Sequence, residues 1–114
     1  MSACIFCRIV DGGMPAKIVH QDEQALAFED INAQAPVHVL VIPKRHVASV
    51  QDCQATDQAL LGHLLLICSK IARIKNVAES GYRIVTNTGA DGGQTVSHLH
   101  FHLLGGRSMA WPPG

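Results

Sequence analysis

Seven histidines occur in 114 residues. Three of them alternate with apolar residues in Ser97-His98-Leu99-His100-Phe101-His102-Leu103-Leu104-Gly105-Gly106. Imidazole titrates near neutral pH, and it can attack an electrophile, carry a proton or bind a metal. A period of two is the mark of a strand, whose successive side chains point to opposite faces. His98, His100 and His102 are therefore expected on one face, with Leu99, Phe101 and Leu103 on the other, against a core. Along such a strand neighbouring histidines stand roughly 6.6 Å apart and the outer two about 13 Å. One metal can take two neighbours but not comfortably all three, so the three are expected to do different jobs.

Other residues have the chemistry to join them. Cys4-Ile5-Phe6-Cys7 is a C-x-x-C without the preceding strand of a thioredoxin-like redox unit. Its thiols either pack as small apolar groups or supply half of a tetrahedral zinc site. In the second case His46 and His98 are the candidates for the other half. His38 interrupts the apolar run Val37 to Ile42, sharing a face with Leu40 and Ile42. It is either a hydrogen-bonded core histidine or part of the same site as the alternating three. Thr88-Gly89-Ala90-Asp91-Gly92-Gly93-Gln94-Thr95 is glycine-rich. Such a turn can bring backbone N–H groups close to phosphate oxygens, or it can simply need glycine for its shape.

The elements that must position these groups read as a mixed fold. Asp11-Gly12-Gly13-Met14-Pro15 is a turn. Ala16–His20 and Ala25–Phe28 form a hairpin. Val37–Ile42 is a central strand, ended by Pro43. A short helical turn is expected near Val47–Gln51. The long helix runs from about Asp57 to Asn76, with Thr56 as N-cap. Its buried stripe is Leu60, Leu61, Leu64, Cys68, Ile71 and Ala72, and His63 is expected on its surface. Gly81–Asn87 is a strand, and the glycine-rich turn joins it to the histidine strand.

The whole chain sets bounds. Residues 1–114 make a single domain, and 47% hydrophobic residues are enough for a core. Nine basic residues balance nine acidic ones, so there is no electrostatic footprint for long nucleic acid or an anionic membrane. Met1-Ser2-Ala3-Cys4 is not the start of a secretory leader, and the run Leu64 to Cys68 is too short to span a bilayer. A soluble, cytoplasmic protein with its four cysteines as thiols or metal ligands is expected.

His98-Leu99-His100-Phe101-His102-Leu103-Leu104 resembles the signature of the histidine triad family. Asp91-Gly92-Gly93-Gln94-Thr95, Gly105-Gly106-Arg107 and Trp111-Pro112-Pro113-Gly114 resemble its nucleotide-binding, purine nucleoside phosphoramidase branch. The likeness runs from about Ile5 to Gly114. It implies an α+β fold: a five-stranded antiparallel sheet with one long and one short helix, paired as a two-fold homodimer. In such a dimer the tail carrying Trp111 reaches toward the partner's site. It also implies a purine nucleoside monophosphate as ligand, with its phosphoramidate or acyl-adenylate derivatives. Ile5, Phe6, Phe28 and Ile31 would line the base pocket, and Asp30 would hold the ribose hydroxyls. Asn87, Gly93, Gln94 and Thr95 would meet the phosphate side with His100 and His102. Cys4, Cys7, His46 and His98 correspond to a structural zinc site of some members, and no catalytic cofactor is implied. Thr95 departs from the branch, which usually has serine there; the hydroxyl is kept and a methyl group is added.

On this reading His100 is the nucleophile that cleaves a P–N bond through a covalent nucleotidyl-histidine. His102 and a loop N–H stabilise the phosphoryl oxygens, Thr95 bonds the leaving group or a phosphate oxygen, and His38 donates to the phosphate or orients a neighbour. Three other readings compete. One is a metallohydrolase with a catalytic zinc on two triad histidines, one a dinucleoside polyphosphate hydrolase, and one a non-catalytic nucleotide-binding regulator.

Overall fold

The computed structural model describes residues 3–114. Five antiparallel strands form one sheet in the order β1-β2-β3-β5-β4. The strands are β1 (Ile18–Gln21), β2 (Ala25–Glu29), β3 (Val37–Pro43), β4 (Tyr82–Val85) and β5 (Phe101–Gly105), with helices α1 (Ile5–Val10) and α2 (Gln58–Ile74). β3 holds the centre, as its apolar run requires. A strand buried on both faces has no polar alternation to show, and Val37–Pro43 is buried from His38 onward.

The two faces of the sheet are covered differently. Ala25, Ala27, Val39, Val41, Leu99, Phe101 and Leu103 pack on one side with Leu64, Ile67, Cys68, Ile71 and Ala72 of α2. The helical stripe therefore lies where its spacing placed it, with Ile67 added and with Leu60 and Leu61 at its margin. On the other side Leu26, Phe28, Leu40 and Ile42 pack with Phe6 of α1. This second face is thinner, and the polar residues gather on it.

Three local expectations are corrected. Thr56 does not cap α2: a short 3-10 turn, Ala55–Asp57, precedes the helix and carries a reciprocal Gln54–Asp57 cap, leaving Asp57 at the N-cap position. The short turn expected at Val47–Gln51 is a 3-10 turn at Val50–Asp52. The histidine segment is strand only from Phe101, which lies level with Val41 of β3. Two residues further on, β3 ends at Pro43, which has no N–H to offer a ladder, and its carbonyl accepts instead from the imidazole Nε2–H of His98 at 2.8 Å. Leu99 N–H donates to the Val47 carbonyl, outside the sheet. The alternation of faces survives this bend, because Leu99, Phe101 and Leu103 all enter the α2-side core.

His63 is not a bare surface residue. Its Nε2–H and that of His20 donate to the same oxygen of Asp22, at 2.9 and 2.8 Å. Among the described residues no helix is long and apolar enough to cross a membrane.

Candidate active site

The site is built where β3, β5 and α1 meet. Side chains of even-numbered residues on β2 and β3 face α1, so His38 stands beside Leu40 on the face where Phe28 and Phe6 also lie. Leu40 is paired with His102 across the ladder. A cavity of about 450 Å³ opens there, within the range of small-molecule sites. It brings together Ile5, Phe6, Phe28, Asp30, Ile31, His38, Thr95, His100 and His102 in its lining.

Asn87, Gly93 and Gln94 do not contribute to its walls. Asn87 donates from its amide to the Gly92 carbonyl at 2.7 Å, inside the glycine-rich turn. Gln94 accepts from Gly89 N–H and donates to the carbonyls of Ala48 and Val96. Both side chains hold the turn together. Ile9, Met14, Pro15, Ala16, Gln34, Leu40 and Val96 line the cavity without having been singled out. Leu40 was deducible from the strand alternation that pairs it with His38. Met14-Pro15 read only as a turn. The six residues of α1 are too few for periodicity to declare a helix.

The proton positions of the histidines follow from their backbone partners. His100 donates Nδ1–H to the carbonyl of His98 at 2.7 Å, which leaves the lone pair on Nε2. The ring is buried, with Phe6 in T-shaped contact at a centroid distance of 5.2 Å. His38 accepts the Gln34 N–H on Nδ1 at 3.0 Å, so its proton is on Nε2. That proton goes to Nδ1 of His102 at 2.9 Å, with Asp30 Oδ2 3.4 Å away. His102 is thereby left with an N–H on Nε2. Burial, reinforced by neighbouring His100 and His38 and opposed by Asp30, pushes His102 down to about 4. Burial lowers His38 as well, against the opposing pull of Asp30. Both are neutral imidazoles at pH 7.

His98 faces elsewhere. Its Nε2–H is committed to Pro43, which leaves the Nδ1 lone pair toward Cys4 Sγ at 3.3 Å, Cys7 Sγ at 3.6 Å and His46 Nδ1 at 3.1 Å. Cys7 Sγ also lies 3.3 Å from His46 Nδ1. The ligand atoms of these four residues lie within 4.8 Å of one another. Two thiols and two imidazole nitrogens, one with its tautomer fixed by a backbone bond, form a donor set that suits a tetrahedral soft or borderline divalent metal. Burial pushes His98 down, its bond to Pro43 notwithstanding, which keeps that nitrogen available as a ligand. A second group, Asp30, His38 and His102, also has its ligand atoms together. There the Gln34 N–H holds the His38 proton on the nitrogen that would have to bind.

The model of the HIT domain matches residues 11–109. The chain belongs to the HIT domain family. An uncharacterised HIT-like protein of Synechococcus elongatus is 57% identical over 110 residues, 96% of each chain. The HIT family hydrolase of Legionella pneumophila superposes with a TM-score of 0.96 at 49% identity, over 97% of this chain and 99% of that one. A histidine triad protein of Clostridium difficile gives 0.93 at 40% identity, over 96% of each. The histidine triad nucleotide-binding protein of Candida albicans gives 0.83 at 30% identity, over 96% of this chain and 83% of that one. The HIT domain thus accounts for the α+β sheet and for the alternating histidines.

Proposed function

We propose that this HIT protein is a purine nucleotide-binding hydrolase that cleaves the P–N bond of nucleoside 5′-phosphoramidates. The observation that carries the reading is the His100 imidazole, buried, with Nδ1–H tied to the His98 carbonyl and its Nε2 lone pair left to attack. A neutral imidazole held in one tautomer is a competent nucleophile toward phosphorus. In the first half-reaction Nε2 forms a bond to phosphorus, the bond to the amine breaks, and the leaving nitrogen takes a proton from solvent at the mouth. Thr95, exposed and on the cavity wall, bonds that leaving group. Water then attacks phosphorus, the P–Nε2 bond breaks, and the nucleoside monophosphate leaves with a proton released to solvent.

His102 donates its Nε2–H to the phosphoryl oxygens as charge moves onto them. His38 orients His102 through the bond to Nδ1, one of the two roles open to it from the sequence. Ile5, Phe6, Phe28 and Ile31 bracket the base and Asp30 takes the ribose hydroxyls. The N–H groups of Gly93 and Gln94 donate to the carbonyls of Ala90 and Gly89, so these residues and Asn87 serve the phosphate side by holding the turn that carries Thr95.

We take Cys4, Cys7, His46 and His98 to hold a structural zinc, which supplies a cross-link between α1 and the segment before β5. The enzyme is read as a cytoplasmic homodimer. Exposed Tyr82 on the edge strand β4, Leu66 on α2 and Trp111 in the tail support the dimer. A catalytic metal on the triad is the weaker alternative, because the tautomer of His38 opposes it.

The deciding test is turnover of adenosine 5′-phosphoramidate by wild type and His100→Ala, with AMP binding measured alongside. The expected loss is about 10⁴-fold or more in kcat with AMP binding retained. Absence of turnover by folded wild-type protein would transfer the site to a binding role. Turnover of dinucleoside polyphosphates in preference would favour that rival activity.

A further inference from the structure

The Cys4, Cys7, His46 and His98 cluster and the cavity are neighbours that share part of their surroundings. His98 offers Nδ1 to the cluster while its own carbonyl accepts the Nδ1–H of His100. Helix α1 begins at Cys4, whose Sγ accepts the Cys7 N–H as its N-cap. Between those two ligands it carries Phe6, whose ring packs in T-shaped contact with both His98 and His100 at centroid distances of 5.9 and 5.2 Å. Ile5, Thr95 and Val96 line the cavity on one side and the cleft beside Cys4, Cys7 and His46 on the other. Three connections therefore join the two places: one backbone carbonyl, one aromatic ring and one shared wall.

A six-residue helix has little stability of its own, because helix nucleation is unfavourable and short segments rely on tertiary anchors. Of the elements around the cavity, α1 is the one held at both Cys4 and Cys7. If those anchors are loose, the base wall formed by Ile5 and Phe6 must be ordered at the cost of binding energy when nucleotide arrives. If they are clamped, that ordering is already done.

We infer that metal binding at Cys4, Cys7, His46 and His98 is thermodynamically coupled to nucleotide binding, with His98 as the positioning residue that joins them. The inference rests on the nucleotide and zinc readings above and adds a linkage between them. Coupling of two sites is reciprocal: the factor by which metal tightens nucleotide binding is the factor by which nucleotide tightens metal binding.

The experiment uses the full wild-type chain and does not depend on activity. AMP affinity is measured by calorimetry in chelator-treated protein and again with Zn²⁺ or Co²⁺ restored. Co²⁺ affinity is then measured from its thiolate absorption with and without AMP. The expected result is at least about fivefold tighter AMP binding with metal present, and the same factor in Co²⁺ affinity. His46→Ala, a change at the exposed side of the cluster, should make AMP affinity insensitive to metal at concentrations that saturate wild type.

Metal that raises the melting temperature while AMP affinity stays constant would overturn the coupling and leave both parent readings intact. No thiolate absorption on adding Co²⁺ would overturn the coupling together with the zinc reading. No AMP binding in either state would overturn it together with the nucleotide reading.

Discussion

At the scale of single residues, the three alternating histidines are chemically alike in sequence and made unlike by their partners. The Pro43 carbonyl accepts a hydrogen bond from His98, the His98 carbonyl accepts one from His100, and His38 donates one to His102. The result is a lone pair on Nδ1, a lone pair on Nε2 and an N–H on Nε2, in that order along the chain. Keeping His102 neutral has a consequence for stability. Its folded-state value of about 4 lies below the ordinary 6.5. As pH falls between those values the unfolded chain binds a proton that the folded one refuses, so acid destabilises the protein. Chelator-treated wild type is expected to lose roughly 2 kcal/mol more than His102→Asn between pH 7 and pH 5, read by urea denaturation. An equal loss in the two proteins would mean that His102 is not held neutral.

At the scale of elements, the hairpin β1–β2 and helix α2 are tied by one carboxylate. Asp22 Oδ1 accepts the N–H groups of Gln24 and Ala25, and Oδ2 accepts from His20 and His63. Burial alone would raise its pKa, but the bonds from His20, Gln24, His63 and Ala25 together hold it well below the usual carboxylate range. The carboxylate therefore stabilises the fold in full above that range, and the contribution fades only as pH drops through and below it. Asp22→Ala should cost about 1–3 kcal/mol at pH 7, measured by denaturant melts, with turnover of the surviving folded enzyme preserved. A change under 0.5 kcal/mol would show that the four bonds are replaced by water without loss.

At the scale of the whole molecule, one face of the sheet is sealed by the 17 residues of α2 and the other is left to the six of α1. The thin side is where a cavity can open. Ile5 and Ile31 are exposed at that cavity, whereas Leu66 of α2, Tyr82 of β4 and Trp111 of the tail are exposed and do not line it; Arg83 donates to the Ala110 carbonyl at 2.9 Å and its guanidinium lies over the Trp111 ring. Light scattering on purified protein should give twice the 12.2 kDa chain mass. A monomer at micromolar concentration would remove the dimer from the functional reading.

Much of this was legible in the residues themselves. Alternation around His98–His102 put leucines and Phe101 toward the core, the 3.6-residue spacing from Leu60 to Ala72 marked the buried stripe of α2, and the apolar run before Pro43 marked the central strand. These are periodicities, and burial enforces them locally. The motif resemblance added Cys4, Cys7, His46 and His98 as one group, and tertiary structure brings them within 4.8 Å. What only the folded chain decided has a different physical origin. No periodicity predicts that a proline at the end of β3 ends the ladder and frees a carbonyl for His98, or that Gln34 dictates the tautomer of His38. None predicts that Gln94 spends its amide on the backbone of Ala48 instead of on a ligand, or that His63 on α2 shares a carboxylate with His20 on β1. Each of these is a hydrogen bond between groups distant in sequence or irregular in conformation. Residue type announces the capacity for such a bond, and only the packed chain selects the partner.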